Sequence, residues 1–423
     1  MVEINPDALL DFEIKNCSNK NLGELNSMPT DNISILAINA GSSSIKFGLF
    51  EVTQVPVQVI SGKIQRIGSK DASFTVKHND KIMTEEIAFI SFPAASTFLI
   101  DWLERQNWFP SLSAIGHRLV YGMKRTGAEI ITGGLLEELN DMVGLDPEHL
   151  PAEIYIVQTF QKKYPRLIQA ACFDTAFHSS IPLVAKMFAI PKKYWAEGIQ
   201  RYGFHGISYS YLMQQLISQD PKEAKNKIVM AHLGNGASIA AVKGQKCIDT
   251  SMGFTPASGI VMSTRSGDLD PGIVCYLMNK GLDAKALSHL VNHQSGLLGI
   301  SGLSSDMTAL LQLEKDNEDA ALAVQIFCYQ AVKYIGAYAA ALNGLDTLVF
   351  AGGIGENAAS IRARICANFN YLGAAIDEEK NNRNDQLVST DESAVKIYVM
   401  ATDEEFIIAK ETAGIVRPRI NHQ

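Results

Sequence analysis

Ile35–Phe50 reads ILAINAGSSSIKFGLF, and Ile228–Val242 reads IVMAHLGNGASIAAV. In each stretch an apolar run leads into a small, polar turn and a second apolar run leads out, the pattern of strand, tight turn, strand. Aligned from Ile35 and Ile228, both copies place a glycine at the seventh position, Gly41 and Gly234, an offset of 193 residues that points to a duplicated domain. A turn built from Gly, Ser, Asn and Ala lets backbone N–H groups approach an anion without side-chain obstruction. Two such turns facing each other would grip adjacent phosphates, whereas either alone reads as an ordinary hairpin.

At 423 residues the chain exceeds the size at which single cores stop growing, so two domains are expected, in agreement with the offset. Hydrophobic residues make up 47% and charged residues 19%, the balance of a soluble globular protein. No stretch approaches the ~20 uninterrupted apolar residues of a membrane helix, and no membrane span is expected. A net charge of −8 without any dense Lys/Arg block argues against a nucleic-acid or anionic-membrane surface and favours small solutes as partners. Cys17, Cys172, Cys247, Cys275, Cys328 and Cys366 lack CxxC spacing and several sit in apolar runs, which fits reduced, buried thiols in a cytosolic protein. Residues 1–32 have neither a basic start nor a signal-type apolar core and read as an N-terminal extension.

After the first hairpin, Val57–Ile90 reads as a β-meander, Ala95–Trp108 as a helix, and an apolar entry leads into GHRLVYGM at 116–123. Leu135–Val143 and Ala152–Lys163 read as helices, and the strand-like Leu167–Phe173 ends in Asp174, a carboxylate where ligands gather in open α/β sheets. The second half carries its hairpin, a Gly/Ser/Thr-rich loop from Asp249 to Pro271, helices around 271–292 and a long apolar helix over Glu318–Leu342. A strand at Thr347–Phe350 then runs into AGGIGENA (Ala351–Ala358), a strand–glycine–helix sequence of the anion-binding kind. Val395–Met400 reads as a strand and Asp403–Thr412 as a helix, with Thr402 and Glu405 at capping-box spacing.

No GxxxxGK[ST], HExxH or GxSxG is present, so the usual P-loop, zinc-protease and α/β-hydrolase signatures are absent. What remains is a set of polar residues in glycine-rich surroundings: Asn39, Ser43 and Lys46; His117 and Arg118; Asp174; His205; His232 and Asn235; Arg265, Asp268 and Asp270; Glu356, Asn357 and Glu404. Phosphoryl transfer needs few covalent participants but many positioned charges, with cations for the transferred group and carboxylates for magnesium. The ensemble supplies each kind. Arg118 in GHR and Arg265 in TRSGD suit bidentate contacts with carboxylate or phosphate, though each alone equally suits a structural ion pair. Taken singly, His205 reads as a hydrogen-bonded core residue and Asp174 as a helix cap.

The ensemble resembles the acetate kinase family. The matching segments are NAGSSSIK (39–46), GHR (116–118), FDTAFH (173–178), RYGFHG (201–206), HLGNGAS (232–238), DTSMGFTP (249–256), TRSGDLDP (264–271), SGLLGISGLSSDM (295–307) and GGIGEN (352–357). The resemblance implies an α/β, duplicated fold of the actin, Hsp70 and sugar-kinase kind, ribonuclease H-like in each half, with a nucleotide cleft between two domains. Domain I would comprise 33–180 plus 400–423 and domain II 181–399. It further implies reversible, magnesium-dependent, in-line phosphoryl transfer between ATP and acetate, giving acetyl phosphate and ADP, in a cytoplasmic homodimer, with manganese as a substitute metal. Carried onto this chain, Asp174, His205, Arg265 and Arg118 would be catalytic, and Val120, Phe204 and Pro256 would join Arg118 around the acyl substrate. Lys46, His232, Leu233, Gly234, Asn235, Gly236, Asp306, Gly352, Gly353, Ile354, Gly355 and Asn357 would face the nucleotide, and Asn39 and Glu404 the metal.

The departures from the family pattern are concentrated. Tyr121, Gly122 and Met123 stand where HGG is common, and Glu148 stands in a PLHNP-like segment in place of an apolar pocket residue. A buried carboxylate beside an anionic substrate would be repulsive, so Glu148 is expected to turn outward. Thr308 replaces an arginine expected near the adenine, and Asp403 a common asparagine. The same fold acting on propionate or another short acid, a catalytically silent ligand sensor, and a weak acyl-phosphate phosphatase are the competing readings. Retention of Asp174, His205 and both arginines argues against the sensor.

Overall fold

A computed structural model of the chain describes residues 32–41, 43–87 and 91–420. All of the extension but Asn32, together with Cys17 and Ser42, lies outside the described residues. Ile33–Ala40 (β1) and Ile45–Val52 (β2) pair antiparallel around residues 41–44, in register from Ile33 opposite Val52 to Ala40 opposite Ile45. Pro56–Gln65 (β3), Ser73–His78 (β4) and Lys81–Glu86 (β5) continue the meander as expected. On the other edge of β1, Ala114–Leu119 (β6) runs parallel to it; beyond lie Glu129–Ile130 (β7) and Ile168–Phe173 (β8), with β8 parallel to β6. The strand order is β5-β4-β3-β2-β1-β6-β8-β7.

The second sheet repeats this plan. Lys227–Leu233 (β9), Ala237–Lys243 (β10) and Lys246–Thr250 (β11) form an antiparallel meander, and Thr347–Ala351 (β12) and Lys396–Val399 (β13) add in parallel beside β9. The order β11-β10-β9-β12-β13 matches β3-β2-β1-β6-β8 strand for strand and direction for direction. The duplication read from the two hairpins therefore extends to five strands of each sheet. Seven of the eight residues of β1 are buried, the continuous apolar run of a strand covered on both faces.

Two helices cover the sheets in ways that matter for function. Glu318–Leu342 is capped by Asn317 and buries Ala320, Val324, Phe327, Ala331, Ile335 and Leu342 at helical spacing against β9 and β10. By length and composition it would be long enough to cross a membrane, but that packing makes it a core helix of the second sheet. Glu404–Ile420 follows β13 yet packs on β1, β2 and β6 of the first sheet through Ile407, Ile408, Ala413 and Val416, so the end of the chain returns to the first half.

Local chemistry moved several boundaries. Ser91 caps, and Pro93 opens, a helix that runs Phe92–Glu104 rather than 95–108. Gly206–Gln219, starting at the last residue of RYGFHG, is a 14-residue helix that the hydrophobic pattern did not disclose. The expected Thr402–Glu405 capping box does not form; the Asp403 carboxylate accepts from the Phe406 N–H at 2.9 Å, and Glu405 accepts from the Asn39 side chain instead.

The seam between the returning helix and β6 closes on Gly116, where an added Cβ would lie 2.2 Å from Thr412 Oγ1 and 2.7 Å from Ile408 Cγ2. Gly116→Ala is expected to destabilise the protein by about 2 kcal/mol through overpacking, read as a lowered thermal midpoint. An unchanged midpoint would mean this seam does not hold the first sheet.

Candidate active site

Both hairpin turns open onto one cleft of about 780 Å³. The first contributes Asn39, Gly41, Ser44 and Lys46 to its wall, the second His232, Gly234, Asn235 and Gly236. Arg118, His205 and Glu404 line it on one side, and Asp306, Gly352, Gly353, Ile354 and Asn357 on another. Thr308 lines it too, beside Met307 and Leu311. Of the residues expected to face a nucleotide, Leu233 and Gly355 are buried behind the wall. Gly352 adopts φ 76°, and an added Cβ there would lie 2.7 Å from the Leu233 carbonyl oxygen, so only glycine lets these two segments touch.

Arg118 is placed by strand alternation: on β6 it faces the cleft, while its neighbour His117 is buried with Nε2 against Gln169 Oε1 at 2.8 Å. His117 therefore takes no part in the cleft. The Arg118 guanidinium donates to Asp174 Oδ2 at 2.8 Å and to Glu153 Oε1 at 3.2 Å. Burial opposes its charge, but Asp174, Glu153 and Glu404 together outweigh that and keep it a cation. Burial pushes the Glu153 carboxyl up to about 8 against the pull of Arg118 and of the Val120 N–H, which donates to it at 2.9 Å. Glu153 was not singled out in the sequence, where it reads as one polar position on an amphipathic helix.

Asp174 does not line the cleft. Its carboxylate sits one layer behind, also accepting from the backbone N–H groups of His205 at 3.1 Å and Ile207 at 3.4 Å. Burial alone would raise its pKa; Arg118 and those N–H groups reverse this and hold it below the usual carboxylate range. The helix-cap reading and the charged-site reading of Asp174 both describe what it touches. His205 adopts φ 59°, a left-handed backbone rarely used by non-glycine residues, fixed by Asp174 on one side and by Gly206, where an added Cβ would fall 2.1 Å from the Asp174 carbonyl oxygen.

The His205 ring bonds through Nδ1 to Ser238 Oγ at 2.9 Å, and Ser238 in turn meets Tyr209 Oη at 2.6 Å, which leaves Nε2 for the cleft. Burial, with His232, Arg265 and Arg118 nearby, holds the imidazole well below its ordinary pKa, so it is neutral at neutral pH. His232 lies 4.6 Å away ring to ring, is likewise lowered by burial, and its buried Nδ1 has no hydrogen-bond partner among the described residues. Arg265 lies across from His205: a Cβ added to Gly236 would be 3.2 Å from His205 Nε2 and 3.6 Å from Arg265 Nη1. Arg265 has no ion pair among the described residues and donates only to the Pro256 carbonyl at 3.3 Å and Met262 Sδ at 3.9 Å. A largely buried guanidinium without a counter-ion is a site awaiting an anion.

On the acid side of the cleft, Glu404 accepts from Asn39 at 2.6 Å and from the Ser208 hydroxyl, and its pKa is lowered, because Arg118, Lys46 and Ser208 outweigh burial and Asp174. Burial raises the Glu356 carboxyl above its ordinary pKa, against the opposing pull of the Gly352 and Thr402 backbone. Asp268 and Asp270 take structural roles, accepting from Gly259 N–H at 2.9 Å and capping the helix Pro271–Asn279 respectively.

A second cavity of about 610 Å³ is lined by Pro256, Arg265 and Glu148. Glu148 is half-exposed and pairs with His293 Nε2 at 3.0 Å, yet it stays on the wall of this cavity with Arg265, so it does not turn out of the pocket as expected. Val120 and Phe204 are fully buried in the same apolar cluster, and Tyr121 packs edge-on against Phe204 and Tyr202 with its hydroxyl on the Phe254 carbonyl. Val120, Phe204 and Tyr121 line neither cavity, so Val120 and Phe204, expected around the acyl substrate, lie in the core instead, with Pro256 alone of that apolar set on a cavity wall.

The sequence model described as "Acetokinase family" matches residues 34–410. An acetate kinase of Carboxydothermus hydrogenoformans is 40% identical over 90% of this chain and 99% of its own. The crystal structure of a propionate kinase from Francisella tularensis superposes with a TM-score of 0.82 at 37% identity, covering 90% of this chain and 98% of that one. That of Porphyromonas gingivalis acetate kinase gives 0.80 at 34% identity, covering 91% and 100%. With a duplicated α/β fold, two phosphate-type turns on one cleft and these relatives across nine-tenths of its length, the chain belongs to the acetokinase family.

Proposed function

We propose that this protein is an acetate kinase, transferring the γ-phosphoryl group of ATP to acetate. A carboxylate oxygen of the acid attacks phosphorus in line, the bond to the bridging β,γ oxygen breaks, and acetyl phosphate and ADP result; the reverse step follows the same path. The observation that carries the reading is the convergence of Arg118, His205 and an unpaired Arg265 beside Gly236, between two glycine turns. Such a transition state demands positioned donors and cations rather than a covalent participant.

In this reading Arg118 and Arg265 hold the acyl carboxylate and neutralise the transferring group, and neutral His205 donates from Nε2 to a phosphoryl oxygen. Asp174 is a positioning residue, acting through Arg118 and the His205 backbone. The turns around Gly41 and Gly234–Gly236 cradle the phosphates, and the wall from Asp306 to Leu311 with Gly352–Asn357 takes the nucleoside. Glu404 and Asn39 offer the oxygen donors a hard cation prefers, and magnesium, or manganese in its place, would there offset phosphate charge. Among the described residues no group of three or more His, Cys, Asp or Glu forms a cage, which suits an ion held largely by phosphate oxygens and water.

We divide the chain for this purpose into 33–180 with 400–423, carrying the acid and the first turn, and 181–399, carrying the nucleotide. We also infer a cytosolic homodimer. Cys172, Cys247, Cys328 and Cys366 are free and buried, and the apolar helix Pro271–Asn279 buries none of its residues, leaving Ile273, Tyr276 and Met278 at 44%, 60% and 48% exposure for a second copy. The mass in solution is expected to be that of two chains and to fall to one in Tyr276→Glu; a monomeric wild type would overturn the inference.

A second reading, a larger short-chain acid as substrate, is favoured by the size of the cavity beside Pro256 and Arg265. Trapping acyl phosphate as hydroxamate across acetate, propionate, butyrate and hydroxy acids tests both. Turnover with acetate supports the main reading, and turnover only with another acid moves it to the second. Arg118→Ala and Arg265→Ala should each lower kcat/KM by about a hundredfold or more; Arg265→Ala should leave the thermal midpoint near wild type, whereas Arg118→Ala should lower it, because Asp174 and Glu153 are left buried without their cation. Near-normal activity in either removes that arginine from the mechanism. Because His205 is neutral above its lowered pKa, activity should show no His205 inflection between pH 8 and 6, falling only on further acidification as the ring is protonated. A wild-type inflection near 6.5 that disappears in His205→Asn would count against this assignment.

A further inference from the structure

A third cavity, of about 520 Å³, lies between Met123–Thr126, Thr175–Leu183 and the Trp195–Tyr202 stretch, and the reaction above makes no use of it. Every charged side chain on its wall is a cation: Lys124, Arg125, Lys186 and Arg201. The four are not equivalent. Arg125 is neutralised by Glu129 at 2.8 Å and Glu138 at 2.7 Å. Arg201 donates to the carbonyls of Ala185, Thr250, Ser251 and Met252, with Asp249 at 3.8 Å.

Lys186 is different. Its ammonium donates only to the Ser179 carbonyl, at 3.2 Å, and no carboxylate pairs with it among the described residues. The side chain is half-buried, and burial lowers its pKa, the mark of a charge removed from water without a counter-ion. Its backbone is pinned, the Arg201 N–H donating to the Lys186 carbonyl at 2.8 Å, so the ammonium is presented from a fixed strut rather than a free loop. Neutral donors stand nearby: the Thr175 hydroxyl oxygen accepts from the Gly122 N–H at 3.0 Å, which leaves its own O–H to donate.

We propose that this cavity is a second anion site, separate from the nucleotide cleft, that binds a small multivalent anion such as a phosphate ester or a polycarboxylate, with Lys186 as its main partner and Lys124 at its rim. The site is wired to the reaction by chain continuity. Thr175 follows Asp174, and Arg201 and Tyr202 begin the RYGFHG loop that ends at His205 and Gly206. The site thus lies one residue from Asp174 and on the segment that leads to His205.

The test is calorimetric titration of the full-length protein with citrate and, separately, with pyrophosphate, at low ionic strength and with ATP present in excess. Binding is read as heat and needs no turnover. One anion per chain is expected to bind with ATP present, about tenfold more weakly in Lys186→Gln and to a lesser degree in Lys124→Gln. Tighter citrate assigns a polycarboxylate, tighter pyrophosphate a phosphate ester. No binding once ATP is present, or binding indifferent to both substitutions, overturns the proposal. Should Lys186→Gln not fold, acylation of Lys186 in the wild type, followed by mass spectrometry, decides: protection by the anion is expected, and equal labelling with and without it rejects the site.

Discussion

The arrangement of the cleft depends on one buried carboxylate. Asp174 ends a strand of the first sheet, and from there it reaches Arg118 on the neighbouring strand and the backbone of His205 and Ile207 at the start of a helix. An ion pair this buried adds little net stability, because desolvation offsets most of the Coulomb attraction. Its effect is geometric: it holds Arg118 on the cleft wall and keeps His205 in a left-handed conformation that no local preference supports. Losing the carboxylate would strand a buried guanidinium and release the loop together.

The same economy of placement explains the rest of the site. The two sheets have one topology, so the turns after β1 and β9 are equivalent positions in equivalent halves, and their convergence on one cleft follows from the duplication. The turns are not identical, since residues 41–44 join the first pair and 234–236 the second. The tighter second turn brings Gly236 under both His205 and Arg265, where any side chain would intrude.

How much of this the sequence disclosed depends on whether a feature is local. The hairpins, the long helix Glu318–Leu342 and the strand before Asp174 were legible because hydrophobic period and turn composition are local signals. Glu153 was not, because nothing nearby distinguishes it from a surface glutamate; its partners Arg118 and Val120 lie on another element. His117 and Arg118 are adjacent in a strand and so face opposite ways, and the sequence could group them only as neighbours. At the last helix Asp403 took the cap, and Glu405 is turned to Asn39 on the strand beneath its helix. Tertiary partners decided each of these, and one chain read alone does not display them.

The return of Glu404–Ile420 to the first sheet has a consequence for how the protein is made. Ile35, Ala37 and Phe50 are packed in the finished protein against Ile408, Ala413 and Val416, which leave the ribosome more than 350 residues later. Loop closure over nearly the whole chain must precede that contact, which is the kind of non-local pairing that slows folding. The first sheet thus waits with one apolar face uncovered until residues 404–420 have been made, and a chain truncated before residue 404 would display that face to chaperones or to its neighbours.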